Sequence, residues 1–416
     1  MTKEQKDCDC TPRLRFPEFV GGKKWRKISL GELADRNIRW SFSGGPFGSN
    51  LKSSDYTESG IRIIQLQNIG DSCFLDNYKI FTSKQKADEL LSCNIYPGEI
   101  ILAKMGDPVA RSCIVPTTEE RYLMCSDGIR LVVDKNNYSS TFTFYLINSK
   151  YFRKKAEEKS TGSTRKRIGL DELKSIPILI PILQEQQKIA RCLSSLDDLI
   201  EVHEQKLDAL QRHKKGMMQR LFPAEGETTP RWRFPEFRNA GEWEKYEIGD
   251  IFTATRGQVL AMTELQAIKT KKFSYPVYSS QTKNNGLAGY YSDYLYENAI
   301  TWTTDGANAG EVNFRKGKFY CTNVCGVLLN KDGYANKCIS EIINFVSKKY
   351  VSYVGNPKLM NNVMKKIKIT IPSLPEQQKI ADCLTSLDER IEAQEEKIAA
   401  LKEHKKGLMQ KLFPSL

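Results

Sequence analysis

At 416 residues, with 40% hydrophobic, 10% aromatic and 27% charged positions, the chain has apolar material for two ordinary domains. Its start, MTKEQKDCDC, has no apolar stretch of the signal-peptide kind, and no run approaches the roughly 18 apolar residues of a membrane span, so a cytoplasmic chain is expected. The formal net charge is +13, and its distribution is informative: positions 185–223 hold 7 basic and 6 acidic residues and positions 376–416 hold 7 and 8, so the whole excess falls elsewhere, where a phosphate-binding surface would lie.

In chain order the sequence reads as body 1–175, helix 176–223, linker 224–230, body 231–366 and helix 367–416. The first body opens with RLRFPEFVGGKKWRKISLGEL from Arg13 and contains FSGGPFGSNLKSSDY, YPGEIILAKMGD and STGSTRKRIGLDEL. Short apolar runs at 61–65, 100–104 and 129–133, separated by Gly, Pro and Asn, predict strands. The linker AEGETTP leads into a second opener, RWRFPEFRNAGEWEKYEIGDI from Arg231. The second body contains YPVYSSQTKNNGLAGYY, ITWTTDGANAGEV and GNPKLMNNV, with strands predicted at 299–303 and 324–329. The frame therefore repeats while the contents of the two bodies differ, as expected of two similar mounts carrying different readers.

The helical segments 176–223 and 367–414 align without a gap, with 31 of 48 positions identical. In the first, Leu193, Leu196, Ile200, Leu207, Leu210, Met217 and Leu221 follow spacings of three and four. In the second, Leu384, Leu387, Ile391, Ile398, Leu401, Leu408 and Leu412 do the same. This is a heptad seam, interrupted at matched places by His203 and Lys214 and by Gln394 and Lys405. Ser373 and Glu376 predict a capping box, which the first copy lacks because Ile182 stands at the capping position. A helix of about 38 residues spans roughly 57 Å and cannot bury its seam alone. Two related helices in one chain can do so as an antiparallel coiled coil; a coiled coil between two chains is the alternative.

Eleven cysteines are scattered along the chain. Cys8 and Cys10 are too close for a standard zinc knuckle, and Cys321, Cys325 and Cys338 lack a nearby fourth ligand, so reduced, buried thiols are expected and no metal. There is no G-x-x-x-x-G-K-[ST] phosphate loop and no Gly-rich loop suited to a methyl donor. Asn356-Pro357-Lys358-Leu359 begins like the N-P-P-[YF] motif but lacks the aromatic residue that stacks a flipped base. No catalytic residue is expected.

The two RFPEF openers, the two EQQKIA helix starts and the ends HKKGMMQRLF and HKKGLMQKLF resemble the specificity subunits of type I restriction-modification systems, as do GGPFGSNLKSSDY, STGSTRKRIG and YPVYSSQTKNNG. The resemblance covers nearly the whole chain. It implies two α/β (α+β) target recognition domains, related by a pseudo-twofold repeat, each reading half of a bipartite site in double-stranded DNA. It further implies that the helices space the domains and dock two methyltransferase subunits, with motor-nuclease subunits joining for cleavage. S-adenosylmethionine, ATP and Mg would belong to those partners, with no cofactor on this chain. A scaffold protein without DNA and a self-sufficient methyltransferase are the competing readings. The charge excess on the bodies argues against the first and the missing cofactor loop against the second.

Base reading needs donors and acceptors on exposed elements, and phosphate holding needs cations and amides. In the first body Thr164, Arg165, Lys166 and Arg167 follow Gly162, and Ser49, Asn50 and Lys52 follow two Gly-rich turns. In the second body Ser280, Gln281, Lys283, Asn284 and Asn285 form a donor-rich loop. Lys358, Asn361 and Asn362 take the place of the Arg-Lys-Arg loop, and Thr304, Asp305 and Asn308 read as a turn.

Overall fold

The computed structural model describes residues 12–280 and 283–414, the side chain of residue 283 apart. Cys8, Cys10 and Gln281 lie outside the described residues. The two long helices are Leu183–Leu221 and Leu374–Leu412, 39 residues each. The chain divides into two compact units, one holding residues up to His203 together with those from Lys397 on, the other Glu204–Glu396. Each helix is thus shared between the units, whereas the sequence suggested helices standing apart from the bodies. The reason is burial: the first turns of each helix are part of a body's core.

In the first unit, an antiparallel sheet runs in the order Phe42–Gly44, Gly128–Leu131, Ile100–Ala103, Ser112–Ile114. A five-stranded mixed sheet lies beside it in the order Tyr56–Thr57, Ile80–Thr82, Ile61–Ile64, Tyr122–Met124, Asn94–Ile95. A two-stranded ribbon, Arg26–Ser29 with Pro177–Ile180, ties the opener to the strand that precedes the helix. The core joins Leu102, Ile129 and Leu131 to Phe142 and Leu146 of Ser140–Ile147 and to Ile189 and Leu193 of the first long helix. Leu412 and Phe413, at the end of the second long helix, enter the same core. The Phe413 ring lies 5.5 Å from that of Phe142, and the Leu14 amide donates to the Lys411 carbonyl at 2.9 Å.

In the second unit a six-stranded sheet runs Thr253–Arg256, Cys325–Leu329, Tyr296–Thr303, Val312–Cys321, Tyr275–Tyr278, Leu287–Tyr291. A ribbon of Glu244–Glu247 with Lys368–Ile371 again ties the opener to the strand before the helix. Lys337–Ser347 buries Ile339, Ile342 and Ile343 against this sheet, where they meet Ile380 and Leu384 of the second long helix. Leu221 and Phe222, ending the first long helix, close this core, and the Trp232 amide donates to the Arg220 carbonyl at 3.0 Å. All the strands expected from sequence are present to within a few residues at their ends.

The openers and helix starts repeat in sequence because they form one clamp in each unit. In the first, Arg15 donates to both carboxylate oxygens of buried Glu185, at 2.8 and 2.6 Å, and Lys188 pairs with Glu18 at 3.0 Å. In the second, Arg233 donates to Glu376 at 2.8 and 2.5 Å, and Lys379 pairs with Glu236 at 3.0 Å. The first Gln of each EQQ is buried; Gln186 donates to the Pro181 carbonyl at 2.9 Å and Gln377 to that of Pro372 at 2.8 Å. These bonds correct the expected capping box. Both oxygens of Glu376 face Arg233, a partner 143 positions away that local pattern could not reveal.

Every seam residue is buried or half-buried, while Glu204, Gln205 and Lys206 or Glu395, Glu396 and Lys397 are exposed. The two lysine interruptions have matched partners. Lys405 pairs with Asp197, whose other oxygen accepts from the Tyr145 hydroxyl at 2.6 Å. Lys214 pairs with Asp388 at 2.6 Å, and Lys337 reaches the same carboxylate at 2.9 Å. Burial opposes ionisation of Asp388, but Lys214 and Lys337 prevail and hold its pKa below the ordinary value.

Burial raises the thiol pKa values, Cys113 to about 12 and Cys125 and Cys325 each to about 11, so these cysteines act as small apolar groups. Among the described residues no His, Cys, Asp and Glu group is placed to hold a metal, and no helix is long and apolar enough to cross a membrane.

Candidate nucleic-acid interface

The two bodies do not align in sequence, yet they build the same edge. In the first unit the strand Ile100–Ala103 ends in a turn, closed by the Ala110 amide donating to the Ala103 carbonyl at 3.0 Å. Onto this turn docks the loop 161–167. Gly106 donates to the Lys166 carbonyl at 3.1 Å, Ile168 donates to that of Lys104 at 3.0 Å, and Thr161 and Arg167 exchange amide bonds of 2.8 Å. In the second unit Gly310 closes the turn on Thr303 at 2.9 Å. The loop 352–358 docks there, with Gly306 donating to Pro357 at 3.0 Å, Leu359 to Thr304 at 2.9 Å, and Ser352 and Lys358 exchanging bonds of 2.9 Å.

The same edge includes a third segment. Lys104 donates to the Asp127 carbonyl at 2.7 Å and Gly45 to that of Gly128 at 2.8 Å; Thr304 donates to Val324 and Gly257 to Cys325, both at 3.0 Å. The glycine is required in both places by close approach. A Cβ on Gly45 would stand 1.7 Å from the Cys125 carbonyl oxygen, and one on Gly257 2.3 Å from that of Cys321.

On this common backbone the side chains differ. The first loop presents exposed Thr164, Arg165 and Arg167 with half-exposed Lys166; its counterpart presents Gly355, Asn356, Pro357 and Lys358 at the same positions. The three cations are not equivalent. Lys166 is paired with Glu157 and Arg167 with Asp127 at 2.9 Å, whereas Arg165 has no carboxylate partner among the described residues. Of the three cations in this candidate phosphate-binding loop, two are therefore already paired. Exposed pairs are weak, however, and a phosphate can compete for both.

Ser49, Asn50 and Lys52 are exposed on the segment that follows Gly45. Ser280 is half-buried, and its carbonyl accepts from the Asn308 amide at 3.3 Å, which joins the loop of Asn284 and Asn285 to the turn after Thr303. Asn284 and Asn285 are exposed and both left-handed, with φ 52°, a conformation that Asn tolerates. The Lys283 side chain lies outside the described residues. Lys358 and Asn362 are exposed. Asn361 is half-buried: its side-chain amide donates to the Thr255 carbonyl at 3.1 Å and fixes the short helix Asn361–Lys365 to the sheet.

Sequence reading missed Arg256, whose side chain is 41% exposed and pairs with Asp305 at 3.3 Å, and the exposed apolar residues Phe47, Val259, Tyr353 and Val354. The half-buried glycine two residues before Phe47 and before Val259 is the signal they share.

Residues 23–212 and 240–403 match the family described as the type I restriction modification DNA specificity domain. The chain belongs to this family. Among relatives of these type I specificity proteins, a putative specificity subunit from Methanocaldococcus jannaschii is 24% identical over 95% of this chain and 97% of its own length. An N-terminal putative specificity subunit from Mycoplasma pneumoniae is 40% identical over 33% of this chain and 74% of its own length. The crystal structure of a type I S subunit from M. genitalium covers 98% of this chain and all of that one, with a TM-score of 0.65 at 18% identity, a likeness of fold. DNA binding within a restriction system follows from the family. The edge built by the docked loop, the turn and the glycine segment is a part of each body where a shared backbone carries differing, exposed side chains.

Proposed function

We propose that each body reads one half of a bipartite DNA target with this edge, and that the two long helices pair as an antiparallel coiled coil that sets the distance between half-sites and docks two methyltransferase subunits. The observation that carries the reading is the seven-residue loop held by the same backbone bonds in both bodies but carrying Thr-Arg-Lys-Arg in one and Gly-Asn-Pro-Lys in the other. A fixed mount with variable side chains is what discrimination between two sequences requires. Helix pairing is supported by the two exchanged pairs, Lys405 with Asp197 and Lys214 with Asp388, in which the end of one helix meets the start of the other. Methyl transfer from S-adenosylmethionine and ATP- and Mg-dependent cleavage then reside in the methyltransferase and motor-nuclease partners.

The test is an exchange of body 246–366 for that of a relative, followed by mapping of methylated adenines in cells that co-express the methyltransferase. One half of the target should change and the other persist. A change in both halves would overturn the modular reading.

The charge excess makes binding steeply salt-dependent. Changing Arg165 to Ala should lower the slope of log K against log salt by about 0.9, the value for one phosphate contact. Changing Lys166 or Arg167 should lower it less, because each already has a carboxylate partner. A slope unaffected by Arg165→Ala would show that the loop faces away from DNA.

A further inference from the structure

Phe47 is 82% exposed, the most exposed large apolar residue described in the first unit, and Val259 is 79% exposed in the second. Single exposed apolar residues are ordinary on a protein surface. These two are not independent, because they occupy the same place. Each stands two residues after the glycine that bonds to the end of the central strand, Gly45 to Gly128 and Gly257 to Cys325. In both, that glycine is pressed onto the preceding turn so closely that no side chain fits. The chain is thereby held at the edge, where Phe47 and Val259 are exposed. Apart from that glycine the two bodies share no sequence here, GGPFGSN against TRGQVLA, yet both put an aliphatic or aromatic group into solvent.

The surroundings indicate what covers them. Lys52 follows Phe47, exposed; Arg256 precedes Val259, 41% exposed. The turn that receives Gly45 carries Asp127, the partner of Arg167 in the docked loop, and Arg256 pairs with Asp305 in the turn that receives Lys358. Each apolar tip thus has an exposed cation within five residues of it in sequence and is continuous with the edge described above. A protein partner would need acidic groups beside an apolar one; duplex DNA supplies phosphates on either side of a groove in which thymine methyls are the apolar groups.

We infer that Phe47 and Val259 are matched specificity-determining contacts that enter a DNA groove, one in each half-site, touching a thymine methyl or wedging a base step. The inference rests on the reading that each body binds one half-site. On binding, the phosphates flanking the groove engage the cations, and the buried tip contributes apolar contact whose strength depends on the base step beneath it. This term is independent of salt, unlike those of the neighbouring cations.

The test uses the full chain with its co-expressed methyltransferase subunits and a duplex carrying the motif mapped for that wild-type complex. Phe47→Ala should weaken binding about tenfold and Val259→Ala about threefold, from the apolar area each loses. The salt slope should be unchanged, and each substitution should relax base preference in one half-site only. Phe47→Leu, which retains an apolar tip, should recover most of the affinity. A rise in 2-aminopurine fluorescence at one step on binding of the wild-type complex, absent with the alanine variant, identifies wedging, and loss of thymine preference in the variant identifies the methyl contact; either supports the inference. Both alanine variants binding within twofold of wild type, with an unaltered motif, would overturn it while leaving the half-site reading intact. A wild-type map without two half-sites would overturn both.

Discussion

Replacing Arg233 with Ala is expected to destabilise the second unit by about 3–5 kcal/mol, because it strands a buried carboxylate. Glu376 is 1% exposed, and Arg233 satisfies both its oxygens while also donating to the carbonyls of Ala240 and Gly241 at 2.8 and 3.0 Å. Removing the guanidinium leaves the charge with neither water nor a counter-ion. The loss is larger than the net worth of the pair, since desolvating two ions offsets most of their attraction. Replacing both partners, Arg233→Met with Glu376→Leu, should therefore recover much of the stability. Arg15→Ala should repeat the effect in the first unit through Glu185, also 1% exposed. Urea unfolding followed by tryptophan fluorescence provides the measurement, since Trp25 and Trp243 are buried within the two openers. A cost below about 1 kcal/mol for Arg233→Ala would place the pair with exposed, weak ion pairs and would defeat the clamp argument.

Inserting one heptad into each long helix is expected to lengthen the gap between half-sites by about three base pairs and leave the half-site sequences unchanged. Seven residues preserve the face that carries the seam and add about 10.5 Å. DNA rises about 3.4 Å per base pair. The half-sites also rotate by nearly a third of a turn, because about 10.5 pairs complete one, so the variant should bind less tightly than the parent. Insertion into one helix alone leaves seam residues without partners and should cause aggregation. Methylated adenines mapped with the double insertion decide the matter. An active variant that keeps the original gap would show that the spacing is set by the partner subunits.

Much of this protein was legible without coordinates, and particular residues show where that legibility stops. The seam from Leu193 to Leu221 and from Leu384 to Leu412 was readable because helical periodicity is local, and the observed helices end within a residue of the apolar pattern. The duplicated openers and helix starts were visible as repeats, but their purpose was not. Arg15 and Glu185 lie 170 positions apart, and no local spacing pairs them. Glu376 shows the resulting error: the local pattern assigned it to a helix cap, while a distant guanidinium holds it.

The candidate interface divides in the same way. Residue type and glycine punctuation located Arg165, Lys358 and the Asn284-Asn285 turn, since cations, amides and left-handed Asn are properties of the chain itself. Which of these side chains are uncommitted depended on neighbours brought in by folding, Asp127 to Arg167 and Thr255 to Asn361. The sequence alone determined the helices, their repeat, the family and the location of the charge, because each is written in short-range pattern or summed composition. Only the tertiary structure decided which body receives the end of each helix, that two unlike bodies share one edge, and that Phe47 and Val259 stand outward at equivalent points on it. Those outcomes depend on backbone bonds between segments tens of residues apart, Gly45 to Gly128 and Gly106 to Lys166, and such pairings leave no periodic trace in the chain.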